Sequence, residues 1–206
     1  MRSVRITPFG LRVHFHVVTT TAGDFPGNVT SEANATTYVQ DTVAAAAAIW
    51  APFLIRLDFD GVSFAADDDL FDVRGDFLKL ARADEVFDFR RGMANPVLVE
   101  RVGIRKNVAG KSLPACLTTQ LAIEHQVGGR LPDGTFVNGT DVAAFVLAHE
   151  LGHVLGLVHR SADKDNLMRP RGGALNQVQL KDSQVENAHA ALGRADGTPD
   201  QLRVFF

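Results

Sequence analysis

The spacing of apolar residues along the chain predicts several β-strands in its first two thirds. In LRVHFHVVTT, residues 11–20, apolar and polar side chains alternate, so that His14 and His16 share one face of a predicted strand. Related patterns predict three more strands. They span residues 53–64, residues 96–105 and, between Gly- and Pro-rich flanks, residues 116–125.

Helix-forming segments lie between and after these strands. Residues 31–50 predict a long helix, because Ser31 can cap it and an alanine run fills its interior. A second long helix is predicted to begin near Asp141, and a last helix at about residues 178–192. The acidic and aromatic segment 65–95 predicts loops with one short helix. Because most strands precede the second long helix, the pattern indicates an α+β domain.

Composition narrows the classes of protein that these elements could belong to. A chain of 206 residues with 46% hydrophobic and 22% charged residues predicts one globular domain. The net charge of -3 gives no reason to expect nucleic acid or an anionic membrane as a partner, and no apolar run predicts a membrane span. The single cysteine, Cys116, excludes an intramolecular disulfide and a thiolate-rich zinc site.

The candidate chemistry lies in HELGHVLGLVH, residues 149–159, which holds three of the seven histidines. Residues four apart lie one above the other on a helix, so His149 and His153 can bind one ion together. Glu150 lies one step around the helix, where its carboxylate can reach a water on that ion. This arrangement is typical of zinc hydrolases, in which an open ligand position holds water.

A third histidine needs a bend in the chain to reach the same ion. His159 lies six residues beyond His153, which on a straight helix is about 600° of rotation and about 9 Å of rise. Gly156 can adopt a left-handed conformation that ends the helix and turns the chain back. Three histidines and one glycine therefore predict a single three-ligand site.

These residues match the signature HExxHxxGxxH at all five fixed positions, and the sequence thereby resembles the metzincin metallopeptidases. That family also places a methionine in a tight turn beneath the metal. Here DNLMRP puts Met168 nine residues after His159. The ending at Met168 and Pro170 looks most like the matrixins and related bacterial enzymes.

The resemblance implies a zinc endopeptidase of protein or peptide substrates. Its metal would be Zn²⁺ bound by His149, His153 and His159, with Glu150 as general base and Met168 as structural support. The implied fold is a twisted mixed β-sheet with two long helices and a small C-terminal subdomain with one helix. Residues 1–206 would form one catalytic domain, divided at about residue 156.

Further expectations concern the surroundings of the site. The substrate should lie extended on an edge strand upstream of the active helix, and by resemblance residues 169–176 should shape the pocket after the cleaved bond. The resemblance also implies a secreted or extracellular protein, although the N-terminal residues contain no uninterrupted apolar stretch of a signal peptide. We expect a monomer.

The chain departs from its relatives at two positions near the site. Arg160 follows the third histidine where matrixins usually have serine, and Pro170 stands where astacins and serralysins have a tyrosine. Tyr38 is the only tyrosine. Stabilisation of the oxyanion is therefore expected mainly from zinc, helped by protonated Glu150.

Other clusters leave alternatives open. His14 and His16 could bind a second metal, but a packed or solvated strand face is the favoured interpretation. The acidic residues could bind Ca²⁺, but no ligand spacing favours it over solvated loops. They are Asp58, Asp60, Asp67, Asp68, Asp69 and Asp72. For the whole protein, the alternatives are a zinc-containing binding or toxin-like module and a zinc hydrolase that acts on other bonds.

Overall fold

The computed structural model describes residues 9–74, 76–90, 92–103, 110–112, 119–124, 126, 129–130, 136–160, 163, 165–170 and 178–193. The strands are β1 (Phe9–Thr19), β2 (Ile55–Ala66), β3 (Ala94–Val99), β4 (Gly110–Ser112), β5 (Thr119–Glu124), β6 (Gly129–Arg130) and β7 (Phe136–Val137). The helices are α1 (Glu32–Trp50), α2 (Asp68–Phe71), α3 (Phe77–Ala81), α4 (Ala83–Val86), α5 (Gly139–Val154) and α6 (Asp182–Gly193), with a 3₁₀ turn at Ala51–Phe53.

Five strands form one mixed sheet in the order β2-β1-β3-β5-β4. The first four are parallel to their neighbours, and β4 pairs with β5 in the antiparallel direction at one border of the sheet. Strands β6 and β7 form a separate two-stranded ladder. The predicted α+β fold with a mixed sheet and two long helices is therefore confirmed.

Each face of the sheet is covered by its own hydrophobic core. One face packs against α1, α5 and α6, and its core includes Phe15, Trp50 and Leu147. The opposite face is covered by the segment of α2, α3 and α4, with Leu80 and Val97 in a second core. Burial on both faces explains why β3 is buried along its whole length and is apolar except at Asn95. On the first of these faces, α5 packs against the border of the sheet that ends in β4.

Side-chain caps determine where the two long helices begin. The Ser31 hydroxyl accepts a hydrogen bond from the Asn34 N–H at 3.2 Å, and the Asn138 side chain accepts one from the Asp141 N–H at 2.8 Å. Such caps satisfy N–H groups that have no partner within the helix. None of the described helices combines the length and apolar composition that a membrane crossing requires.

Several element bounds differ from the sequence-based predictions. Strand β2 begins at Ile55 because the chain first forms the 3₁₀ turn and then reverses at Leu54, which has a φ of 59°. Strand β3 ends at Val99, where residue 105 was expected. The segment predicted to hold one short helix holds three among its described residues. Strands β4, β6 and β7 were not predicted, because strands of two or three residues carry too little alternation.

A β-bulge interrupts the pairing of β1 with β2. Val13 pairs with Phe59, but His14 pairs with Gly61, so Asp60 is an extra residue in β2. Gly61 has a φ of 154°, and a Cβ there would lie 3.4 Å from the ring of His14. The bulge therefore places the Asp60 carboxylate beside the face of β1 that carries His14.

Candidate metal centre

The C-terminal half of α5 presents the first part of the site. His149 and His153 lie on one side of the helix, and their ring centroids are 4.9 Å apart. His149 is partly buried, whereas His159 is exposed to solvent. The sheet and α1 hold this helix in place through its apolar side, where Leu147 and Leu151 are fully buried.

A glycine bend returns the chain to the same side of the helix. Gly156 has a φ of 80°, which is the left-handed conformation. Its N–H donates to the His153 carbonyl, and the Leu157 N–H donates to the Gly152 carbonyl, each at 2.9 Å. This pair of hydrogen bonds is the Schellman motif that terminates helices. The chain beyond it runs back towards the helix and carries His159.

The three imidazole rings converge on one point. His159 Nε2 lies 3.2 Å from His149 Nε2 and 3.0 Å from His153 Nε2. Nitrogens that surround a tetrahedral ion at zinc–nitrogen distances of 2.0–2.1 Å are about 3.3–3.4 Å apart. Within the described residues, this is the only group of three or more candidate ligand side chains whose ligand atoms all lie within 4.8 Å.

Backbone carbonyls determine which ring nitrogen of two histidines carries the hydrogen. His149 Nδ1 lies 2.7 Å from the Leu167 carbonyl oxygen, and His153 Nδ1 lies 2.8 Å from the Leu157 carbonyl oxygen. A carbonyl only accepts, so each Nδ1 carries the hydrogen and each Nε2 presents a lone pair. The single Nε2 hydrogen that His159 could carry cannot satisfy both lone pairs. A cation between the three rings would, so the donor set fits a zinc ion.

Burial favours the ligand form of His149. Burial lowers the pKa of His149, the hydrogen bond to Leu167 raises it in part, and the nearby His159 lowers it. The pKa of the ring therefore lies below its ordinary value. His149 is neutral at neutral pH, which is the form that binds a metal.

Met168 lies in a turn packed directly under the site helix. It is fully buried, and the turn that contains it supplies the Leu167 carbonyl to His149. A Cβ at Gly152 would overlap the Met168 Sδ and would lie 3.1 Å from its Cε. The absence of a side chain at Gly152 is therefore what allows the methionine to lie against α5.

Glu150 points towards the border strand β4. It is 7% exposed. A Cβ at Gly110 would lie 2.5 Å from Val146 Cγ1, 2.9 Å from Glu150 Cγ and 3.0 Å from Glu150 Oε1. The side chains of Val146 and Glu150 thus occupy the space beside β4 that a side chain at residue 110 would fill, between the helix and the sheet border.

Two other residues named in the sequence analysis, Arg160 and Tyr38, form hydrogen bonds with the backbone. Arg160 donates its backbone N–H to the Met168 carbonyl at 2.8 Å, and its side chain is exposed. Tyr38 Oη accepts a hydrogen bond from the Gln126 N–H at 3.0 Å, and burial raises the pKa of Tyr38 to about 12. In the expected pocket segment, only Arg169 and Pro170 belong to the described residues, and Cys116 lies outside them.

The alternative metal site at His14 and His16 is occupied by protein partners. His14 Nδ1 lies 3.1 Å from Asp60 Oδ2. His16 Nδ1 lies 2.7 Å from Ser63 Oγ, and its Nε2 lies 3.2 Å from Asn95 Oδ1. His16 also packs against two phenylalanine rings. Both histidines are buried, which agrees with a packed strand face.

The acidic residues that were considered for calcium each have a partner of their own. Asp60 pairs with Arg12 and Arg90, and Asp68 accepts two hydrogen bonds from Thr21. The remaining ones pair with arginine or lysine or cap a helix: Asp58 with Arg56, Asp69 with Lys79, Asp72 with Arg74, and Asp67 at the start of α2. None of them belongs to a three-ligand group in the part of the chain that is described.

Sequence reasoning missed three residues that shape the site. Gly152 and Gly110 provide the space for Met168 and Glu150. Asn166 is buried and accepts a hydrogen bond from the Met168 N–H at 2.9 Å. A glycine inside an otherwise apolar helix is a recognisable signal of close packing, and it was available at Gly152. No comparable signal marks the other two.

Comparison with known proteins places this geometry among metallopeptidases. The family model for matrixins matches residues 28–191. The search of curated proteins gives no significant match. Archaemetzincin from Methanopyrus kandleri is 14% identical with a TM-score of 0.50, and the match covers 96% of this chain and 100% of that one.

Two further solved structures share the fold. Metalloproteinase-II from Bacteroides fragilis is 12% identical with a TM-score of 0.53, and the match covers 92% of this chain and 55% of that one. A structure described as a chaperone–substrate complex is 10% identical with a TM-score of 0.57, and the match covers 92% of this chain and 36% of that one. At such identities the likeness shows the fold alone.

Proposed function

The chain belongs to the matrixin family of metallopeptidases, and from this premise we propose that it is a zinc-dependent endopeptidase of protein substrates. The convergence of His149, His153 and His159 beside a buried glutamate is the observation that carries the proposal. A purely structural zinc site usually has four protein ligands. Three ligands with an adjacent carboxylate are typical of hydrolysis.

The residues of the site would divide the work between binding and proton transfer. Zn²⁺ held by the three Nε2 atoms would act as a Lewis acid that polarises the scissile carbonyl and lowers the pKa of water. The Glu150 carboxylate would accept the proton of the attacking water. It would then deliver that proton to the amine nitrogen as the carbon–nitrogen bond breaks.

The substrate would bind as an additional strand. Strand β4 lies at the border of the sheet next to Glu150. No described strand pairs with its outer edge, so an extended peptide could form backbone hydrogen bonds there. A peptide on β4 would lie next to the strand against which the Glu150 side chain packs.

Casein hydrolysis and zinc analysis test this proposal together. We expect about one zinc per chain, in line with the single described three-ligand group, and cleavage of casein that a chelator abolishes. Full zinc occupancy without cleavage of casein or of a broad peptide library would favour a binding module or a hydrolase of other bonds.

A matched pair of variants tests the role of the carboxylate. Glu150→Gln keeps the shape of the side chain and should retain zinc while losing about 10²–10⁴ of the rate. Glu186→Gln makes the same chemical change at an exposed position of α6 and should retain full activity. Normal cleavage by the Glu150 variant would remove this residue from the mechanism.

A further inference from the structure

The turn that contains Met168 supports two of the three histidines. Its Leu167 carbonyl accepts the His149 Nδ1 hydrogen at 2.7 Å. Its Met168 carbonyl accepts the Arg160 N–H at 2.8 Å, immediately after His159 in the chain. The position of this turn therefore influences where both imidazoles lie.

The turn is itself organised by Asn166, which is 3% exposed. Asn166 Oδ1 accepts the Met168 N–H at 2.9 Å, and the Asn166 backbone carbonyl accepts the Arg169 N–H at 3.0 Å. The side chain thus closes the turn in the way that asparagine closes loops, by bonding to the backbone two residues on. This use of Oδ1 leaves the Asn166 amide nitrogen to donate elsewhere.

That amide donates to Gln184 in the first turn of α6. Asn166 Nδ2 lies 2.8 Å from Gln184 Oε1, and Gln184 Nε2 lies 3.4 Å from Asn166 Oδ1. Gln184 is also 3% exposed. Its Oε1 accepts the Lys181 N–H at 3.1 Å as well, so the same oxygen caps the helix. Two buried amides therefore join the turn to the start of α6.

We propose that Asn166 and Gln184 are positioning residues for the metal centre. The amide pair holds the turn against α6, and the turn holds His149 through the Leu167 carbonyl. The inference rests on the proposed function because it takes the three histidines as metal ligands. Neither amide touches a histidine in the described contacts, so both act through the backbone of the turn.

The burial of two polar side chains here is explained by the backbone groups that they hold. A hydrophobic pair would pack the same volume without the need for hydrogen-bond partners. It could not, however, hold the Met168 N–H and the Lys181 N–H in fixed directions. The four hydrogen bonds therefore determine the orientation of the turn as well as its position.

Zinc affinity is the readout that separates positioning from general stability. Gln184→Met has a similar shape without hydrogen-bonding groups and should weaken zinc binding about tenfold in chelator competition. It should also change the visible absorption spectrum of the Co²⁺-substituted protein. Gln184→Glu keeps an oxygen that can accept both N–H groups, and its zinc affinity should stay near that of the unaltered protein.

Asn166→Ala removes the other amide of the pair, and it provides a second variant if Gln184→Met does not fold. It should weaken zinc binding at least as much, since it also releases the Met168 N–H. The double variant should bind zinc about as weakly as Asn166→Ala alone, because both changes remove one shared interaction.

Leu192→Ala is the control for stability, since Leu192 is buried in the same helix and packs in the main core. It should lower the melting temperature and leave zinc affinity unchanged. Unchanged affinity in Gln184→Met and Asn166→Ala, or an equal loss in Leu192→Ala, would overturn the inference while leaving the endopeptidase proposal intact. Failure of the unaltered protein to bind zinc at all would overturn both.

Discussion

Substitution of Gly152 by alanine adds one methyl group at the most crowded point beneath the site. Gly152 lies inside α5, where alanine is the better helix former by about 0.8–1.0 kcal/mol. Backbone preference alone therefore predicts a more stable protein. The added Cβ would, however, overlap the Met168 Sδ and lie 3.1 Å from its Cε.

The size of the effect follows from these two opposing terms. Carbon atoms in contact are normally about 3.5–4.0 Å apart, so the Met168 side chain must retreat, although it is completely buried. Overpacking of this kind destabilises by about 1–3 kcal/mol. After subtraction of the helix-propensity gain, we expect a loss of about 0–2 kcal/mol, which lowers the melting temperature by about 0–8 °C.

The metal site should respond more strongly than global stability does. Because Met168 is completely buried, we expect its retreat to shift the turn that contains it, and that turn carries the Leu167 carbonyl, which lies 2.7 Å from His149 Nδ1. Loss of such a contact typically weakens metal binding about 10–100-fold. Gly152→Ala should therefore reduce zinc affinity about tenfold or more in chelator competition, while the melting temperature of the metal-free protein falls by no more than about 8 °C.

A double-mutant cycle identifies the cause of that change. Met168→Ala removes the atoms that the new methyl group would overlap, so Gly152→Ala should have little further effect in that background. The two changes should be coupled by about 1–2 kcal/mol. The reasoning is refuted if Gly152→Ala binds zinc normally, or if its effect is the same with and without the methionine side chain.

Three further predictions concern other parts of the structure. Gly156→Ala should lower the unfolding free energy by about 1–2 kcal/mol in urea titrations, because its φ of 80° is strained for alanine. Nothing lies within 4 Å of the new Cβ, so the effect should come from the backbone alone. Unchanged stability would contradict the left-handed bend. Gly110→Ala should retain zinc and lose about a hundredfold in casein hydrolysis, since its Cβ would overlap Val146 Cγ1 and crowd Glu150. Normal activity would show that this packing is not needed. Burial lowers the pKa of His16 from 6.5 to about 4. Between pH 6.5 and pH 4 the unfolded chain therefore binds one proton more than the folded chain, and the unfolding free energy should fall on acidification by up to about 3 kcal/mol. The slope of unfolding free energy against pH, measured with a chelator present, should decrease in His16→Gln by the equivalent of about one bound proton. An unchanged slope would show that His16 is not the group responsible.

The elements predicted from the sequence agree best with the structure where one short-range rule dominates. Helix α1 was expected over residues 31–50 and spans Glu32–Trp50, because a serine cap and an alanine run act locally. Strand β4 was missed, since its three residues form a strand only by pairing with β5. Helix α6 begins at Asp182, later than the predicted residue 178, because Gln179 is held in a bridge to Asn166.

The site shows the same division between local and long-range information. The ligands and the bend followed from helix geometry, since four-residue spacing and a glycine determine them within a few turns. His153 is oriented locally, by the Leu157 carbonyl four residues on, whereas His149 is oriented by the Leu167 carbonyl, 18 residues further along the chain. The division of the chain at about residue 156 stays a prediction.

Strand β2 forms one border of the sheet among the described strands. A border strand of twelve residues could act as a template on which a second molecule adds its own strand, which is a common start of aggregation. The bulge at Asp60 and Gly61 breaks the regular sequence of backbone groups near the middle of that template. We therefore expect the feature that positions the buried His14 also to hinder assembly of further molecules along this border.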